Sequence, residues 1–147
     1  EQAAEVSGLF HTVNDLERVG DHAENLTELA TYKEENRLGF SNMAISELMQ
    51  LSDKVIGVLK DSVGALKNDD LVMASGIEQR EEEVDEMVRR FREAHIERLN
   101  KGQCNPSSAI VYLDMLNNLE RISDHSVNIA FSVLERHKKY NKLEAIN

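Results

Sequence analysis

One cysteine, one proline and no tryptophan occur in 147 residues, and each scarcity closes off a class of protein. Cys104 has no second thiol, so an intramolecular disulfide and a thiolate zinc site are both excluded, and a reducing compartment is permitted. With Pro106 alone to interrupt helices and aromatic residues at 5%, there is little material for stacked β-strands. No apolar run approaches the ~20 residues that a membrane-spanning helix needs. A secretory leader pattern, a glycine-rich phosphate loop and a nucleophilic-serine motif are also missing. Positive charge is short as well. Seventeen Lys and Arg face 27 Asp and Glu, a net −10 that repels phosphate backbones and argues against nucleic acid as a partner. The chain opens on "EQAAEVSGLF", already in helical register and without methionine, which reads as a piece of something longer.

What the chain does have is helix-forming sequence. Apolar residues recur at three- and four-residue steps in four long segments. The first runs from about Gln2 to Lys33 through Val6, Leu9, Val13, Leu16, Ala23, Leu26 and Ala30, and "EENRLGFS" interrupts it. Ser41 is placed to cap the second, with Phe40 and Ile45 spaced as a hydrophobic staple; its stripe is Ile45, Leu48, Leu51, Val55, Leu59 and Val63. After "KNDD", Asp69 or Asp70 caps a third, carrying Ile77, Val84, Val88, Phe91 and Leu99 and closing at Gly102. Asn105 and Pro106 suit the cap and first position of a fourth, through Ile110, Leu113, Leu116, Leu119, Ile122, Ile129 and Val133 toward Tyr140. Rods of this length joined by short links predict an all-α, antiparallel up-down four-helix bundle.

One charged phrase appears twice. "LERVGDH", residues 16–22, returns as "LERISDH", residues 119–125, and residues 13–25 match 116–128 at seven of thirteen positions. At about 100° per residue, Glu17 and Asp21 stand on one edge of the first helix's apolar stripe, one turn apart; Glu120 and Asp124 do the same on the fourth. Like charges at i and i+4 repel, so the arrangement calls for a cation between helices, either an arginine or a metal ion. On the third helix Glu81 takes nearly a core position with Asp85 beside it, and a carboxylate there is costly unless paired or coordinated. Four carboxylates across one seam suit iron, manganese or zinc, with water completing the shell.

"LERVGDHAENL" and "LERISDHSVNIA" resemble the signature of the PhoU family, and "EEEVDEM", residues 81–87, resembles that family's acidic motif. More narrowly, "FSNMAISEL" and "REAHIERLNKGQC" are similar to the cytosolic PhoU-like domain of bacterial sodium-dependent phosphate cotransporters. The resemblance implies that residues 1–35 are the third helix of a truncated first repeat and residues 40–147 a complete three-helix repeat. It implies a metal site of Glu81, Asp85, Glu120 and Asp124, with Glu17 and Asp21 in an incomplete second one. The cofactor implied is one or more divalent or trivalent ions, iron or zinc, which purification can strip. The implied partners are the membrane portion of the same polypeptide, a second copy in a homodimer, and inorganic phosphate through the metal. The implied place is the cytoplasmic side of the cell membrane, and the implied role is regulation of phosphate transport without enzymatic activity.

Two other functions compete. A di-iron oxidase of ferritin type needs Glu-x-x-His, and no acidic residue here has a histidine three positions on. A purely structural adaptor or dimerisation module needs no metal at all. Among the other polar residues, His95 falls on the core arc of its helix and reads as a packed, hydrogen-bonded histidine, His11 reads as surface, and Cys104 has no base beside it in sequence. The basic "HKKYNK", residues 137–142, suits a helix C-terminus.

Overall fold

A computed structural model describes the backbone of residues 2–144 and the surroundings of side chains 6–139, so Tyr140, Asn141 and Lys142 of the basic run lie outside the described side chains. The chain is all-α. Its helices are α1 (Gln2–Glu35), α2 (Asn42–Asn68), α3 (Leu71–Ser75), α4 (Ile77–Asn100) and α5 (Pro106–Glu144). None of the described helices is long and apolar enough to cross a membrane.

The ends form where local chemistry places them. Ser41 accepts a hydrogen bond from Ala44 N and starts α2. Asp69 turns left-handed to close α2, and Asp70 caps α3 by accepting from Met73 N. Gly102, at φ +68°, takes the left-handed position after α4, where any Cβ would be strained. Asn105 accepts from Ser107 N ahead of Pro106. Two expectations change. The third segment is broken at Gly76 into α3 and α4, because Gly76 N bonds back to Met73 O and no side chain caps α4. The staple is also replaced. Phe40 meets Tyr112 edge-on at 5.9 Å, and Ile45 stays exposed.

Helices α2, α4 and α5 pack mutually, with short α3 closing one end. Their shared core holds Leu51, Val55, Val58, Val84, Val88, Phe91, Tyr112, Leu116 and Val133. Burying one such side chain contributes roughly 1.5–3 kcal/mol. The stripe of α2 is rotated from its expected phase to Ala44, Glu47, Leu51, Val55, Val58, Ser62 and Ala65, leaving Val63 and Ile45 outside and Glu47 inside. On α5, Ile110 is exposed rather than buried. Gly57 allows α4 to come close, since a Cβ there would meet the Arg80 guanidinium at 2.9 Å while that arginine pairs with Asp61.

The long helices are not equivalent. Among the described residues α1 packs on α5 alone. Its Val6, Leu9, Val13 and Leu16 are 40–57% exposed, although their periodicity predicts burial. Tyr112, Leu116 and Leu119, which stand 103 positions after Leu9, Val13 and Leu16, are buried. The difference is neighbours: α5 has α2 and α4 over these positions, and α1 has neither.

Candidate metal centre

The second copy of the phrase is brought against α4. Glu81, Asp85 and Asp124 each offer an oxygen, and these atoms lie within 4.8 Å of one another. Burial, followed by repulsion from Asp85 and Asp124, pushes the Glu81 carboxyl up to about 7, and burial and Asp124 raise Asp85 as well. Three converging carboxylates whose mutual repulsion favours keeping a proton form an oxygen donor set suited to a hard or borderline cation. Arg121, highly exposed, reaches Asp124 from one side at 3.3 Å.

The raised acid has a consequence for stability. Between the ordinary 4.5 of a glutamate and about 7, the folded chain keeps a proton on Glu81 that the unfolded chain has lost. Stability from this source is therefore full below that window and falls as pH rises through it. Because the site is partly hydrated, the loss is of order 1 kcal/mol, or ~2–4 °C in melting temperature. Thermal melts of metal-free protein are expected to show this decline, with a flatter slope in Glu81→Gln. Equal slopes in the two proteins would mean that the cluster is solvated.

The other predicted ligands are not brought in. Glu120 lies one turn from Asp124 but faces Arg92 of α4, whose Nη2 donates to Asn117 Oδ1 at 2.6 Å and approaches Glu120 Oε2 at 3.4 Å. Glu17 and Asp21 are exposed on α1, where Asp21 meets Arg18 at 3.7 Å. The arginine pairing that competes with metal is thus realised at three of the acids: Asp21, Glu120 and Asp124.

The remainder of the repeated phrase builds the α1–α5 seam. His22 donates through Nδ1 to Asn118 Oδ1 at 2.9 Å, and His125 donates through Nδ1 to Asp15 Oδ1 at 2.9 Å. Asn25 and Asn128 donate to the same two oxygens, each at 3.1 Å. Equivalent residues of the two phrases differ by 103 positions (118 − 15, 125 − 22, 128 − 25), and each set bonds to the other, so each phrase grips the other reciprocally. Low numbers pair with high ones, so the helices run antiparallel, and the two imidazoles stack at 5.7 Å across the seam. The matched His and Asn residues signalled this in the sequence, but Asp15 and Asn118, which differ from each other, gave no signal. Asp15→Ala removes the acceptor shared by His125 and Asn128. It is expected to weaken α1 docking by about 1–3 kcal/mol, read as amide exchange in α1 at least several-fold faster than in α2.

A buried polar cluster that periodicity did not indicate lies at the end of the bundle near Ser41 and Gly102. Arg98 donates to Glu47 through Nη1 at 2.9 Å and Nη2 at 2.6 Å, and Tyr112 Oη donates to the same carboxylate at 2.5 Å. His95 is packed and hydrogen-bonded as expected, stacking on Tyr112 at 4.0 Å and accepting at Nδ1 from Arg98. Burial, then the Arg98 charge, lowers its basicity. Cys104 Sγ lies 3.9 Å from His95 Nε2, and because Nδ1 accepts from Arg98 the ring proton sits on Nε2, which faces the sulfur as a donor rather than as a base.

A family model described as PhoU domain matches residues 48–133. Among curated proteins, the chain is 29% identical over 121 residues to "Phosphate-specific transport system accessory protein PhoU homolog 1" of Thermotoga maritima, covering 82% of this chain and 51% of that one. A PhoU homolog of Clostridium acetobutylicum is 26% identical over 135 residues (90% and 60%), and one of Caulobacter vibrioides is 36% identical over 118 (78% and 49%). The chain spans about half the length of the curated relatives it matches. No solved structure matches it significantly.

Proposed function

The chain belongs to the PhoU domain family, and on that footing we propose a regulatory, non-enzymatic domain that holds a metal ion at Glu81, Asp85 and Asp124 and serves the control of phosphate transport. The observation that carries the metal half is the convergence of three carboxylates on a raised Glu81, a cluster whose repulsion a cation would relieve. When bound, the ion would supply positive charge and open coordination positions for an oxyanion such as inorganic phosphate. The protein's own part is to hold Asp124 and the α4 acids at one seam. The transport half draws on the relatives, which are named as accessory proteins of phosphate-specific transport systems.

The division into repeats belongs to the same reading. Helix α1 corresponds to the third helix of a first repeat, and α2 to α5 to a complete one. What supports this is that α1 repeats α5 residue by residue while its apolar face stands open. That face also suits a second copy or an adaptor role. A narrower placement, at the cytoplasmic side of the membrane and joined to a sodium-dependent phosphate cotransporter, draws only on "FSNMAISEL" and "REAHIERLNKGQC".

Elemental analysis of protein purified without chelator, with a chelator-treated and iron- or zinc-reloaded arm, tests the metal half. Close to one ion or one small cluster per chain is expected after reloading. A chain that stays empty in both arms leaves the adaptor reading.

A further inference from the structure

Glu120 and Asp124 sit one turn apart on α5, and Asp85 and Arg92 sit two turns apart on α4. The two helices therefore meet in two rungs. In the first, Glu81 and Asp85 face Asp124. In the second, Arg92 occupies a seat made by Asn117 and Glu120. Along α5, the one further carboxylate within a helical turn of Asp124 is Glu120, already engaged by a guanidinium.

We infer that Arg92 is a positioning residue that keeps Glu120 in reserve, so that a metal ion must win Glu120 from it. This rests on the metal reading of the acid cluster. The pair is weak enough to exchange: at 3.4 Å, with side chains 38% and 30% exposed, it contributes little to stability. Arginine does not lose its charge, so the latch opens by exchange of partners rather than by titration. The seat is also written twice. Asn14 and Glu17 repeat the Asn-x-x-Glu spacing of Asn117 and Glu120, and both are exposed on α1, the helix that lacks an α4-like neighbour. The repeated phrase then divides into an arginine seat (Asn, Glu), a cluster acid (Asp) and a seam grip (His, Asn).

Calorimetric titration with manganese(II) of wild type, R92Q, E120Q and the double variant tests the latch. Freeing Glu120 in R92Q is expected to tighten binding about tenfold, and this gain is expected to shrink below about threefold in the E120Q background. R92K keeps the charge but loses the planar fork that fits the seat, so it is expected to behave more like R92Q than like wild type. A gain of the same size with and without Glu120 would mean simple charge repulsion and overturn the latch. Weaker binding in R92Q would overturn it too. If wild type and every variant fail to bind manganese, the metal reading itself fails; if all bind and R92Q changes nothing, only the latch does.

Discussion

Arg98→Met is expected to destabilise the fold by about 3–5 kcal/mol, enough to lower the melting temperature by roughly 10 °C. The side chains of Arg98 and Glu47 are only 12% and 10% exposed, and Arg98 holds both oxygens of that carboxylate. Removing the guanidinium strands Glu47 among Tyr112, His95 and the α2 core, with the Tyr112 hydroxyl as its remaining donor. The carboxyl must then stay charged without a counterion or take up a proton, and both are costly. The double variant Glu47→Leu, Arg98→Met removes both partners and is expected to recover most of the loss, because desolvation of the two charges disappears with them. Urea unfolding of the three proteins decides it. A single-variant loss below about 1 kcal/mol would mean that water reaches Glu47.

Asp124→Asn is expected to abolish stoichiometric metal uptake while leaving the metal-free protein as stable as wild type at pH 7, or slightly more so. The cluster gathers three oxygens within 4.8 Å, and at that pH repulsion among them opposes folding. An amide keeps the shape and removes one charge, so it takes away a ligand without removing packing. Elemental analysis after reloading, beside a thermal melt without metal, reads both effects. Asp21→Asn is the internal control: its carboxylate is exposed on α1 and, among the described residues, pairs with Arg18 alone, so metal content is expected to stay unchanged. Loss of metal in Asp21→Asn, with retention in Asp124→Asn, would place the ion on the other copy of the phrase.

Much of the fold was legible before any coordinates. Ser41, Asp70, Gly102 and Pro106 mark helix ends through bonds made within a few residues, and such bonds depend on little else. The acids were legible in part. Glu81, Asp85 and Asp124 could be placed at one seam because helical phase and a short α4–α5 link constrain them. Glu120 could not, because its partner Arg92 has an equally good claim on it and spacing does not rank the two. The buried face of α2 lies one notch round from the phase its apolar residues mark, which hides Glu47 from a pattern argument. Its burial depends on an arginine 51 positions away, and a hydrophobic pattern marks a carboxylate as surface.

By itself, the sequence determined an all-α chain, most of its helix ends (the break at Gly76 excepted) and the existence of two matching phrases, since these depend on backbone preference and on residues a turn or less apart. Only the tertiary structure decided that the phrases grip each other through His22, Asn25, His125 and Asn128, that one acid pair meets α4, and that the other faces solvent. Near-identical phrases come to different ends because burial is a property of neighbours: among the described residues α5 has three long helices around it, and α1 has one.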